Sequence, residues 1–156
     1  MNKEESMAKV ALLSKIDKRE AVVGIIGLGY VGLPLAIHFG QEGFKVIGFD
    51  VDVRKIDMLH RGQSYIKHIQ MGPINDRIKN GHLEVTVDFK RLKEADCILI
   101  CVPTPLTDKM EPDHSYILVT TKSRAEYLRI DQIIILERTT YPGTTEEMLM
   151  PGFETD

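Results

Sequence analysis

The sequence predicts an α/β chain built on an open, mostly parallel sheet with helices on both faces. Three observations lead there. Uncharged runs rich in Ile and Val, namely VVGIIG (22–27), FKVIGFD (44–50), DCILICV (96–102) and QIIILE (132–137), have strand length without polar alternation, as strands covered on both faces do. Amphipathic stretches of helix length lie between them. A glycine-rich turn stands where the first strand-like run gives way to the first helix-like stretch.

In chain order, residues 1–20 read as an amino-terminal helical arm, polar at first and then helix-like through Val10, Leu13 and Ile16, with the domain proper over 21–156. VVGIIG leads into a helix running to about Gly43. FKVIGFD and a helix over 52–60 extend this into a βαβ unit. A more polar stretch follows, broken by Gly62, Gly72, Pro73 and Gly81, with one short helix between about Ile74 and Lys79. LEVTVD (83–88) and DCILICV resume the strands, a helix spans about 114–128, and QIIILE comes last. The stretch YPGTTEEMLMPGFETD opens a further helix, with Thr144 and Glu147 at capping-box spacing.

A chain of 156 residues, 43% of them hydrophobic, can bury one ordinary core and is short for two. Its net charge of -3 offers no basic stripe for a nucleic-acid backbone or an anionic membrane surface, and both partners are excluded on that ground. No apolar run approaches the roughly 20 residues that cross a bilayer, and MNKEESMAKV has the mixed charge of no signal peptide, so a cytoplasmic protein is expected. Cys97 and Cys101, four apart on a strand, share a face but lie too far apart for a disulfide; they read as small core residues in a reducing compartment. His38, His60, His68 and His82 have no zinc spacing, and no metal is expected.

The run Gly27-Leu28-Gly29-Tyr30-Val31-Gly32 fits G-x-G-x-x-G directly after a strand and at the opening of a helix. Gly27 would permit the tight turn, Gly29 the close approach of backbone to a pyrophosphate, and Gly32 the close packing of helix on strand. The same spacing also arises where a chain merely turns tightly. Asp50 separates the two readings, because a carboxylate ending the second strand, about 20 residues on, can accept the ribose hydroxyls of an adenosine and repel a 2′-phosphate. The expected cofactor is therefore NAD in preference to NADP. Asp52 follows closely, and one of the two acids could be a helix cap. Arg54 and Lys55 stand where they could reach the adenosine edge or serve as solvated first-turn cations.

GLGYVGLPLA (27–36), GFDVD (48–52), ICVPTPLT (100–107), EPD (111–113) and YPGTTEE (141–147) together resemble, in order and spacing, the UDP-glucose/GDP-mannose dehydrogenase family, most closely its UDP-N-acetylglucosamine 6-dehydrogenase branch. The resemblance implies a Rossmann-type domain that binds NAD for an enzyme oxidising C6 of a nucleotide-bound hexose from alcohol through aldehyde to acid, with two NAD reduced. It also implies roles: Gly27 to Gly32 at the pyrophosphate, Asp50 at the adenosine ribose with Arg54 and Lys55 nearby, and Val102, Pro103, Thr104 and Pro105 in a loop beside the nicotinamide ribose. Glu137, Arg138 and Thr139 stand where the family has Glu-Ser-Thr, so a long cation replaces a small hydroxyl. Thr139, which is kept, is the one candidate for a place near the nicotinamide and a catalytic water. GQSYIKHI, with Tyr65, Ile66 and His68, is also family-like and is expected to pack near the cofactor loop without a catalytic role.

By the same resemblance, the family's nucleophilic cysteine, its oxyanion lysine and asparagine, its dimer-forming helices and its UDP-sugar domain come after residue 156. Neither Cys97 nor Cys101 can replace that nucleophile, since their strand is buried. The chain is thus expected to be a fragment that binds NAD and does not turn over a nucleotide sugar alone. The competing readings are a non-catalytic NAD-binding or interaction module, and a different dehydrogenase with the same glycine loop, against which the VPTP and PGTTEE segments argue. A sheet missing later strands exposes apolar surface, so homo-oligomers or aggregates are expected. Sedimentation velocity at high protein concentration checks this, and a monodisperse monomer contradicts it.

Overall fold

Continuous burial along β-strands covered on both faces and apolar stripes along short helices set the architecture. The structure is a computed structural model describing residues 3–69, 72–102 and 125–137. In chain order the elements are α1 (Lys3–Asp17), β1 (Val22–Ile26), α2 (Gly32–Gln41), β2 (Lys45–Phe49), α3 (Val53–His60), α4 (Gly72–Lys79), β3 (Leu83–Thr86), β4 (Cys97–Ile100) and β5 (Ile133–Leu136). Single 3-10 turns cover Phe89–Glu94 and Ala125–Tyr127. The first was not foreseen from sequence; it is launched by Asp88, whose carboxylate accepts from the Lys90 amide at 3.1 Å. The expected helix over 114–128 falls outside the described residues up to 124, and its described end is the 3-10 turn. The helix expected to open at Thr144 lies outside them entirely.

The five strands pair in parallel in the order β3-β2-β1-β4-β5. A right-handed crossover explains which side each connection takes. Stepping outward from β1 to β2 to β3 puts α2, α3 and α4 on one face, where Leu33, Ala36, Ile56, Leu59 and Ile74 close over Val23, Ile25, Val46, Leu83, Val85 and Leu99. Returning to β4 and stepping on to β5 reverses the direction and the face. There Phe89 and Leu92 pack on Ile26, Ile47, Phe49, Ile98 and Ile100, with Tyr127 and Leu128 alongside. Ile133 and Ile135, in register with Cys97 and Leu99 on the α2 side, are consequently 43% and 41% exposed.

Asp50 and Asp96 are the two buried charged residues among the described ones. Asp96 opens β4 at the amino-terminal end of the sheet. Its carboxylate accepts from the Val22 amide (2.9 Å), Lys15 Nζ (2.9 Å) and Arg129 Nη2 (2.7 Å). Three segments meet there: α1 through Lys15, the start of β1, and the approach to β5 through Arg129, which also donates to the carbonyls of Lys93 and Ala95. Elsewhere α1 is held by Ile16 against the core, and just beyond its end the Arg19 guanidinium lies 4.9 Å from the centre of the Phe44 ring. Burial alone would raise the Asp96 pKa; the Val22 amide, Lys15 and Arg129 outweigh it and hold the carboxyl below its ordinary 3.8.

A group with a depressed folded-state pKa stabilises the fold above its unfolded value, and that contribution is lost as pH falls through the folded one. Asp96→Asn is therefore expected to cost about 1–3 kcal/mol at neutral pH, since it removes the negative charge that pairs with two cations while keeping the shape. In thermal melts the gap between wild type and variant should narrow only below pH 3.8. Equal melting temperatures at pH 7 would contradict the assignment.

Candidate functional site

The strand order reverses between β1 and β4, so the chain leaves these neighbours in opposite directions and opens a crevice at their carboxyl ends. The glycine turn sits there. Gly27 has φ +91°, a left-handed conformation that side chains rarely tolerate, and a Cβ on it would stand 2.8 Å from the Cys101 carbonyl oxygen. Its amide donates to the Phe49 carbonyl at 2.8 Å, fixing the turn against β2. A Cβ on Gly32 would be driven into the Gly27 carbonyl, so only glycine lets α2 begin this close to β1. Gly29 is the opposite case, because a Cβ there would meet no atom within 4 Å. Space over the second glycine is open.

α2 begins at Val31 with no side chain bonded across its start and no acid in its first turn. Its leading amides and the positive end of its dipole are left for an anion. Tyr30 (80% exposed) and Val31 stand in solvent at the rim. Leu28 differs from its neighbours: its side chain is fully buried against Gly48, and its amide donates to Asp50 Oδ2 at 2.9 Å. The phosphate-facing amides thus begin at Gly29.

The structure separates the two acids. Asp52 caps α3, accepting from the Arg54 amide at 3.0 Å, and Arg54 turns its guanidinium back onto the same carboxylate at 3.1 Å. That hydrogen bond to Arg54 dominates the lowering of the Asp52 pKa. Arg54 therefore faces Asp52 and solvent, not Asp50. Asp50, at the carboxyl end of β2, is buried; Oδ2 accepts from Leu28 and from Lys55 Nζ (2.9 Å), and Oδ1 from the Asp52 amide (2.9 Å). Of the four lone-pair positions of a carboxylate, one on Oδ1 has no donor among the described residues and could take a hydroxyl.

Tyr65, in the loop after α3, donates its hydroxyl to the Leu28 carbonyl at 2.5 Å, and its ring lies 5.7 Å from Lys55 Nζ. Ile66 is buried in the core and His68 is exposed. Burial, with the Asp50 and Asp52 charges behind it, pushes the phenol well above the usual tyrosine range, so the hydroxyl stays a donor. Sequence reasoning brought this loop near the turn but missed the bond, since no local pattern links residues 37 apart.

At the other wall, Cys101 and Val102 leave β4, Val102 packing on the lower core. Burial, with Glu137 nearby, raises the Cys101 thiol to about 11, and burial with Asp96 raises Cys97, so both remain neutral thiols at pH 7. Pro103, Thr104, Pro105, Arg138 and Thr139 lie outside the described residues. Among the described residues no group of His, Cys, Asp or Glu gathers to hold a metal ion, and no helix is long and apolar enough to cross a membrane.

An open cradle over Gly29, an uncapped helix start and a buried carboxylate with an acceptor position to spare fit a dinucleotide. Fold and site together define a Rossmann-type dinucleotide-binding domain. The chain belongs to the UDP-glucose/GDP-mannose dehydrogenase family, residues 21–156 matching its NAD binding domain. NAD is accordingly its cofactor. The chain is 36% identical over 137 residues to UDP-N-acetyl-D-mannosamine dehydrogenase of Salmonella typhimurium, covering 86% of this chain and 32% of that protein. It is 34% identical over 133 residues to UDP-N-acetyl-D-glucosamine 6-dehydrogenase of Salmonella typhi, covering 85% and 30%. The crystal structure of a ternary complex of GDP-mannose dehydrogenase from Pseudomonas aeruginosa superimposes with a TM-score of 0.79 at 30% identity, over 84% of this chain and 31% of that one. The chain thus spans about a third of the length of the relatives it matches.

The glycines should separate stability from space. Gly32→Ala is expected to cost about 3 kcal/mol or to prevent folding, because backbone must move, whereas Gly29→Ala should change stability by less than about 1 kcal/mol. Denaturant unfolding of both variants checks this, and equal losses would contradict it.

Proposed function

We propose that this domain holds NAD, adenosine ribose on Asp50, for a dehydrogenase that oxidises C6 of a nucleotide-bound hexose. The observation that carries the reading is the buried Asp50 carboxylate, bonded to the amide of Leu28 within the glycine turn and keeping an acceptor position for a ribose hydroxyl. Gly29, Tyr30, Val31 and Gly32 offer backbone to the pyrophosphate, with Gly27 and Leu28 shaping the turn. Lys55 completes the adenosine end. On the family resemblance of their segments alone, we assign Val102, Pro103, Thr104 and Pro105 to the nicotinamide ribose and Thr139 to the nicotinamide. Bound NAD supplies the hydride acceptor; the residues of this chain bind and orient it. The sugar substrate class rests on the relatives, named for UDP-N-acetyl-D-mannosamine and UDP-N-acetyl-D-glucosamine. The thiols of Cys97 and Cys101 cannot serve as its nucleophile, being buried and protonated. We assign the protein to the cytoplasm, where reducing conditions suit those free thiols.

Calorimetric titration with NAD and with NADP tests the site directly. NAD should bind at least about tenfold tighter than NADP, a difference of about 1.4 kcal/mol, because a 2′-phosphate is brought against a buried carboxylate. Gly29→Ala should weaken NAD by a similar factor while the protein stays folded. Binding of neither dinucleotide, or equal binding of both, would overturn the assignment.

A further inference from the structure

Four residues from three segments close a ring beside the glycine turn. Tyr65 Oη donates to the Leu28 carbonyl (2.5 Å), the Leu28 amide donates to Asp50 Oδ2 (2.9 Å), Lys55 Nζ donates to that same oxygen (2.9 Å), and the ammonium lies 5.7 Å from the centre of the Tyr65 ring. The last separation is within reach of a cation–π attraction.

Each link constrains a different part of the site. The peptide joining Leu28 to Gly29 is planar and trans, so anchoring its carbonyl also fixes the direction of the Gly29 amide on the opposite side. The peptide joining Gly27 to Leu28 is anchored through its amide on Asp50. With the Leu28 side chain wedged against Gly48, the residue has no torsion left to relax. The Tyr65 ring, for its part, backs the ammonium that shares Oδ2 of Asp50. A single aromatic side chain, donated by a loop 37 residues away, thereby sets both the phosphate-facing amide and the ribose-facing carboxylate.

We propose that Tyr65 is a positioning residue of the cofactor site, fixing the Leu28–Gly29 peptide and the Lys55–Asp50 pair in the arrangement that takes adenosine ribose and excludes a 2′-phosphate. It rests on the reading of this site as an NAD site. Phenylalanine at 65 keeps the ring but not the donor. A merely structural tyrosine would affect melting and leave ligand preference alone.

The test is calorimetric titration of the chain and of Tyr65→Phe with NAD, NADP and ADP-ribose, repeated in an Asp50→Asn background, with melting temperatures alongside. Tyr65→Phe should weaken NAD and ADP-ribose alike by about five- to tenfold and reduce the preference for NAD over NADP. In the Asp50→Asn background the same change should move that preference by less than twofold, because the carboxylate it positions is gone. Site-specific 3-fluorotyrosine at 65, a stronger donor of almost the same shape, should tighten NAD even if the phenylalanine variant proves too unstable to titrate. The proposal is overturned if Tyr65→Phe binds all three ligands within twofold of the parent, if the change in preference persists undiminished in Asp50→Asn, or if 3-fluorotyrosine fails to tighten NAD. Should the parent chain bind neither NAD nor ADP-ribose, the site reading falls and takes this proposal with it, an outcome distinct from a parent that binds and a variant that matches it.

Discussion

A carboxylate taken out of water costs several kcal/mol unless donors replace the solvent it loses, and Asp50 is buried where β2 meets the glycine turn. The donors found for it determine much else. One is the Leu28 amide, which ties the turn to β2; another is Lys55, which orients the first turn of α3; the third is the Asp52 amide, which bends the chain into the cap of that helix. Satisfying one charge therefore aligns the turn, the strand end and a helix start. The same requirement leaves Oδ1, among the described residues, with one acceptor position unused.

Asp96 makes the contrast at the other end of the sheet. It too is buried and lies beside an amide, but its remaining partners are two cations, Lys15 and Arg129, drawn from α1 and from the approach to β5. Each of the two acids takes three donors from the chain itself. An acid with a position to spare, at the carboxyl ends of parallel strands, can bind. Burial is alike for the two, and what separates them is which end of the sheet they occupy and how many cations pair with them, two at Asp96 and one at Asp50.

Handedness governs the outer surface in a comparable way. Because right-handed crossovers send α2, α3 and α4 to one face and the later connections to the other, the α2-side face thins toward β5, where Ile133 and Ile135 meet solvent. The relatives this chain matches are about three times its length.

Strands, the βαβ unit, the glycine turn and its acid were legible in the sequence because each is written locally: strand-length Ile and Val runs, three glycines at fixed spacing, an acid at a strand end. Cys97 and Cys101 were legible as core for the same reason. What needed the folded chain were choices among residues of equal local merit. Asp50 and Asp52 are both acids at the start of a helix, and only the depth of β2 in the sheet decides which is buried and which caps. Arg54 and Lys55 are adjacent cations, yet successive positions on a helix point about 100° apart, so one reaches Asp50 and the other returns to Asp52. The Tyr65 bond to Leu28 joins residues 37 apart and the Asp96 clasp joins residues 33 to 81 apart, and no periodicity encodes such pairs. Local pattern thus determined the elements and the chemistry on offer, while tertiary packing decided which of the offered groups face one another, because burial and pairing of charge are properties of the assembled sheet.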